Sequence, residues 1–170
     1  MEVDNWSVRH PLYPERMVVN NVSLNVRKGE VVGIYGLMGA GRTETARALF
    51  GADPKESGDI YVNGRKVEIH SPQDAVKLGI GYLSEDRKRY GIVVGKSIAE
   101  NSSMACLEDF MSGLFINKKK EAQEAQKYVD RLQTKTPGVD QLVVNLSGGN
   151  QQKVVIAKWL VKNCDILIFD

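Results

Sequence analysis

Apolar and polar positions alternate from Val18 to Val26, "VVNNVSLNV", with Val22, Leu24 and Val26 on one side of the alternation. That period predicts a strand with one wet face. "RKGE" breaks the pattern, and Val31 to Tyr35, "VVGIY", is apolar throughout. A continuous short run predicts a strand buried on both faces. The glycine-rich stretch "GLMGAGRTE", Gly36 to Glu44, follows at once. Beyond it Ala46, Leu49 and Phe50 share one helical face, and Gly51 ends the helix. "DIYVNGRKVEI" predicts a hairpin, because Asn63 and Gly64 suit the positive φ of a tight primed turn. In "SPQDAVKLG", Ser71 caps a short helix, Pro72 occupies its first turn, Asp74 complements its positive end and Gly79 stops it. "IGYL", Ile80 to Leu83, predicts another strand.

The second half differs in character. "SEDRKRYG" is a dense charged loop, and Ser97 to Leu132 is helical in pattern, with Ala122, Ala125, Val129 and Leu132 on one face. "TKTPGVDQ" has the composition of a linker. "LSGGNQQK" then opens a long helix, "VVIAKWLV", apolar nearly all round and so expected to be buried. "CDILIFD" is a final apolar strand closing on Asp170. No internal repeat or low-complexity tract interrupts these elements.

The length of 170 residues suits one domain with a real core. Lys plus Arg is 23 and Asp plus Glu is 21, a net charge of +2. That balance lacks the basic excess of a nucleic-acid footprint, so no nucleic-acid partner is expected. The longest apolar runs are interrupted and too short to span a bilayer. The N-terminus has no secretory-signal pattern. Cys106 and Cys164 are far apart and form no metal spacing, so incidental thiols of a cytosolic protein are expected.

Candidate chemistry begins at Gly36. Gly36, Gly41 and Thr43 match the phosphate-loop pattern G-x-x-x-x-G-K-[ST], with Arg42 where Lys is expected. Such a turn points successive amides, including that of Ala40, into one hollow at a helix's positive end, where phosphate binds. Gly36, Gly39 and Gly41 permit the backbone shapes required. Thr43 is placed to hold Mg²⁺ through its hydroxyl. For this stretch alone, a tight structural turn is an equal alternative.

Two further motifs change the balance. "LSGGN", Leu146 to Asn150, resembles the signature sequence of ABC ATPases, and "ILIFD" resembles their Walker B strand, with Asp170 ordering the water around Mg²⁺. The order of the three motifs and the short gap between the last two carry the resemblance. It covers essentially the whole chain. It is close to the ATP-binding subunits of bacterial monosaccharide importers, such as those for ribose, galactoside, xylose and arabinose, which carry two fused ABC domains. "GLMGAGRTE", "SEDRK" and "LSGGNQQKV" look like the C-terminal domain of that pair, where Arg42 is a feature rather than damage.

The resemblance implies an α/β fold: a P-loop ABC-type core with an N-terminal antiparallel β part, residues 1–96 and 146–170, and an inserted helical subdomain at about 97–145. It implies head-to-tail pairing with the N-terminal ABC domain of the same polypeptide. Ser147, Gly148 and Gly149 then face an ATP held by that partner. The P-loop from Gly36 to Glu44 faces the partner's signature, with ATP and Mg²⁺ as cofactors. A plain N-cap with a flexible entry is the lesser alternative for "SGG". Permease subunits are direct partners, a sugar-binding protein an indirect one, and the place of work is the cytoplasmic face of the membrane. Departures put hydrolysis at this chain's own P-loop in doubt. Arg42 is planar and wider than an ammonium. Glu44 brings a carboxylate near the phosphates. Glu85 stands about where the family carries the Q-loop glutamine, near Mg²⁺, and "SEDRK" is otherwise a solvated loop or a coupling segment toward the permease. Tyr13, with Trp6 as rival, is the candidate for adenine stacking, and a surface aromatic packed on Pro11 or Pro14 is the alternative. A nucleotide-gated clamp in repair or translation is a second functional class, and co-purifying nucleic acid or ribosomes would mark it. A kinase or GTPase-like switch has no use for "LSGGN".

In the family a water-polarising glutamate, the D-loop and the switch strand follow the position of Asp170. The expectation is therefore a fragment cut at the Walker B strand. A turnover assay of this chain alone with excess Mg-ATP should show no measurable hydrolysis, and robust turnover would overturn that expectation.

Overall fold

The chain begins with a strand that its pattern conceals. In the computed structural model, which describes residues 1–170, β1 runs from Glu2 to Arg9. Val3, Trp6, Ser7 and Val8 are buried, so burial does not alternate along the strand. The cause is a bulge: Asn5 has φ 53°, and the register slips between Val3 and Trp6. An extra residue of this kind destroys period-two alternation. The chain divides into two units, Met1–Tyr82 with Asp170, and Leu83–Phe169.

In the first unit β2 (Met17–Asn25), β3 (Ser57–Val62) and β4 (Arg65–Val67) join β1 in an antiparallel sheet of order β2-β1-β3-β4. The expected strand from Val18 is thus an edge strand. Val19 is buried, Leu24 is half-buried and Val22 is exposed, so its apolar side is only partly covered. The β3–β4 hairpin forms on Asn63 and Gly64, both with positive φ, as their residue types predict. Helix α1 (Arg42–Leu49) buries Ala46, Leu49 and the following Phe50, and Gly51 takes φ 73° at its end. Helix α2 (Pro72–Lys77) is capped by Ser71, whose side chain accepts from the Asp74 amide. β5 (Ile80–Leu83) is buried at all four positions.

One expectation fails here. Val31 to Tyr35 forms no strand and is not buried: Val31 is 95% and Tyr35 94% exposed. A strand buried on both faces needs hydrogen-bonding neighbours and covering layers. No strand of this chain pairs with the run, so its composition alone cannot make it one.

The second unit is a helical cluster. Helices α3 (Ile98–Ser103), α4 (Lys118–Arg131) and α5 (Gly148–Lys162) pack pairwise. Residues 97–145 lie inside this unit together with α5. The charged loop "SEDRKRYG" is more ordered than its composition suggests: Asp86 caps a π-helical turn at Arg87–Gly91. The stretch from Ser97 to Leu132 is not continuously helical either. A 3₁₀ segment, Met104–Phe110, leads into a small hairpin of β6 (Met111–Ser112) and β7 (Phe115–Ile116), turning at Gly113 with φ 63°. On α4 the buried line is Glu121, Ala125 and Val129. The supposed linker is pinned: the Ile98 and Ala99 amides donate to Gln141 and Val139 carbonyls at 3.0 Å. Asn101 is buried and clasps both the amide (2.8 Å) and the carbonyl (3.0 Å) of Val93. Strand β8 (Ile166–Phe169) ends the unit. No helix is long and apolar enough to cross a membrane.

Burial also sets the ionisation of three side chains. The Cys106 and Cys164 thiols are both pushed up to about 11, chiefly by desolvation. Lys158 is buried within α5, where its Nζ donates to the Gly91 carbonyl at 2.7 Å, and burial pushes its pKa down from 10.5 to about 8. In that window the unfolded chain holds the proton that the folded chain has released, so stability rises with pH. In denaturation series from pH 7 to 10.5, the stability of the protein minus that of Lys158→Met should climb between about 8 and 10.5. The climb is on the order of 3 kcal/mol. A flat difference across the window refutes this.

Candidate functional site

The turn into α1 is built from backbone geometry. Gly39 and Gly41 have φ 77° and 83°, and the Ala40 amide donates to the Leu37 carbonyl at 3.1 Å. Gly36 lies so close to Ala40 that a Cβ there would stand 2.8 Å from the Ala40 side chain. Gly41 caps α1 with no side chain to satisfy the helix's first amides, so they stay available to an acceptor. The Thr45 hydroxyl donates to the Gly41 carbonyl at 2.7 Å and tightens the turn from inside. Arg42 is exposed, while Thr43 and Glu44 are half-buried. Glu44 falls in the first turn, where a carboxylate complements the helix dipole and also competes with an incoming anion.

Thr43 and Asp170 meet although 127 positions separate them: the Thr43 hydroxyl donates to Asp170 Oδ1 at 2.9 Å. The other carboxylate oxygen accepts from the Tyr82 hydroxyl at 2.7 Å. Tyr82 is buried within β5, with its ring 5.4 Å from that of Phe50. Sequence reasoning missed it. Its signal was a phenol on an otherwise apolar strand, since a buried tyrosine hydroxyl needs a partner. Thr43 and Asp170 thus bring together a hydroxyl and a carboxylate, hard oxygen donors of the kind that suit Mg²⁺ held jointly with phosphate.

The second group of expected residues belongs to the other unit. Ser147, Gly148 and Gly149 are exposed at the start of α5. The Ser147 side chain does not cap the helix. Its Oγ accepts from Asn150 Nδ2 at 2.9 Å, and Asn150 Oδ1 accepts from the Lys135 amide at 3.0 Å. The first amides of α5 are therefore also free for an external acceptor. Glu85 is exposed, just before the π-helical turn. Tyr13 is exposed with its ring 5.0 Å from that of His10. Trp6 is buried in β1, with the Lys55 ammonium 5.5 Å over its ring, and so has no face to offer a base.

Known proteins resemble this chain in sequence and in fold. The xylose import ATP-binding protein XylG of Thermoanaerobacter pseudethanolicus is 49% identical over 99% of this chain and 34% of its own length. The ribose import ATP-binding protein RbsA of Clostridium tetani is 48% identical over 89% of this chain and 30% of its own. The chain thus spans about a third of the length of these relatives. Among solved structures, a dimeric ATP-binding cassette in a post-hydrolysis state, bound to ADP and Pi, matches with a TM-score of 0.80 at 21% identity. That match covers 99% of this chain and 72% of the other, and it shows the α/β P-loop cassette fold. The family described as ABC transporter matches residues 19–170, from β2 through the glycine turn and the α5 start to Asp170, and the chain belongs to it.

Proposed function

We propose that this chain is part of the ATP-binding subunit of a bacterial monosaccharide importer and forms the C-terminal one of two ABC domains. The observation that carries the reading is the Thr43–Asp170 hydrogen bond. It puts the hydroxyl that follows the glycine turn beside the carboxylate that ends β8, the two oxygen types a Mg-ATP site requires. The kinship with xylose and ribose import proteins supports the transport role.

Each residue then has a task. The amides of the turn from Gly36 to Gly41, except that of Ala40, which is taken by the Leu37 carbonyl, and the positive end of α1 cradle phosphate. Arg42 supplies charge there without the compact fit of an ammonium. Thr43 and Asp170 would hold Mg²⁺, which when bound would offset the phosphate charge, and Tyr82 fixes the carboxylate rotamer. Tyr13 stacks on the adenine. Ser147, Gly148 and Gly149 act in trans, donating to the γ-phosphate of an ATP bound by the N-terminal ABC domain. Asymmetry follows: the intact signature serves one site, while this chain's degenerate P-loop makes the other a weak one. The subunit works against permease subunits on the cytoplasmic face of the membrane, and a sugar-binding protein acts through them.

Calorimetric titration with ATP tests this. Binding should be weak and Mg²⁺-dependent. Arg42→Lys should tighten it about tenfold, ~1.4 kcal/mol, and Thr43→Ala should remove the Mg²⁺ dependence. Tight binding by the unaltered chain, or a Thr43→Ala variant that keeps its Mg²⁺ response, overturns the assignment.

A further inference from the structure

The π-helical turn at Arg87–Gly91 has a definite orientation. Asp86 Oδ1 accepts from the Arg89 amide at 3.1 Å, and the Ile92 amide closes on the Arg87 carbonyl at 2.9 Å. This carries the Arg87 side chain to the first turn of α5. Its Nε donates to Gln151 Oε1 at 3.3 Å. Gln151 is buried, and its own Nε2 donates to the Val143 carbonyl at 3.1 Å, just before the signature. The guanidinium also covers Gly148: a Cβ on Gly148 would stand 2.7 Å from Arg87 Nη2. The space that any side chain at position 148 would need is therefore filled by this arginine.

The electrostatics make the placement unusual. A cation beside the positive end of a helix is disfavoured, and helix starts ordinarily attract acidic residues. The first turn of α5 has no acidic residue, and no carboxylate pairs with Arg87. The position is held by hydrogen bonding and packing instead. A planar fork suits that task, since one edge can reach Gln151 while the other lies over a glycine. On its other side the same turn is held by Asn150, which links Ser147 to the Lys135 amide.

We propose that Arg87 is a positioning residue for the signature turn Ser147–Asn150, linking the charged loop after β5 to the amides that α5 presents. A movement of that loop then shifts Gln151 and Gly148 together, so the loop's state is transmitted to the signature through one side chain. The inference rests on the assignment of the α5 start as a nucleotide-facing turn.

Amide hydrogen exchange separates the two ideas. The Gln151 amide bonds to the Ser147 carbonyl at 2.9 Å and reports on the first turn. Without nucleotide, Arg87→Ala should speed its exchange about tenfold. Arg87→Lys should fall between, because an ammonium reaches Gln151 but cannot also cover Gly148. Amides from Val154 to Trp159, deeper in α5, should keep their rates. Unchanged exchange at Gln151, or equal acceleration along all of α5, overturns the positioning role. Measured again with Mg-ATP and the N-terminal ABC domain present, Gln151 should gain protection, and less of it in Arg87→Ala. If the nucleotide-free difference holds but neither protein responds to Mg-ATP, the positioning role stands and the nucleotide-facing assignment falls.

Discussion

The glycine turn before α1 depends on a close approach between two pieces of backbone. A Cβ on Gly41 would meet the Val18 carbonyl oxygen at 2.6 Å and the Val19 side chain at 2.9 Å. With φ at 83°, the position is also one that side chains rarely tolerate. The bare Cα therefore lets α1 begin directly against β2. Thr43 lies two residues farther on, so its hydroxyl is aimed by this contact. Asp170 can accept from it only while the helix start stays where β2 holds it. The N-terminal antiparallel sheet is in this sense the fixture against which the glycine turn is set.

The second unit solves a related problem with polar pins rather than sheet contacts. Asn101 clasps Val93, Gln151 holds the Val143 carbonyl, and Lys158 holds the Gly91 carbonyl. All three side chains are buried, and each ties a loop to a helix. A buried polar group is costly when unpaired, so each pin specifies one loop position strongly. The start of α5 gains its order from such contacts, because Ser147 does not cap it.

What could be foreseen from sequence follows how local the cause is. The Asn63–Gly64 hairpin, the Ser71 cap with Pro72, and the stop at Gly79 rest on residues within a few positions of one another, and all three appear. The glycine turn, "LSGGN" and "ILIFD" are likewise short contiguous stretches, and they lie at two helix starts and a strand end. Strand β1 was not legible, because the bulge at Asn5 removes the alternation that would reveal it. The run from Val31 to Tyr35 misled in the opposite direction: its composition is strand-like, but a strand is a property of its neighbours as well. Tyr82 and Arg87 escaped because their partners lie 88 and 64 positions away, and no spacing rule reaches that far.

The two cysteines have a practical bearing. With both thiols held near 11, only roughly one in three thousand is a thiolate at pH 7.5, and the thiolate is the reactive form. The folded chain is therefore nearly silent toward maleimides and other alkylating dyes. A single cysteine introduced at an exposed position, such as the tip of the small hairpin at Leu114, would take the label almost alone. A labelling reaction timed for such an introduced cysteine is expected to leave both natural thiols largely unmodified.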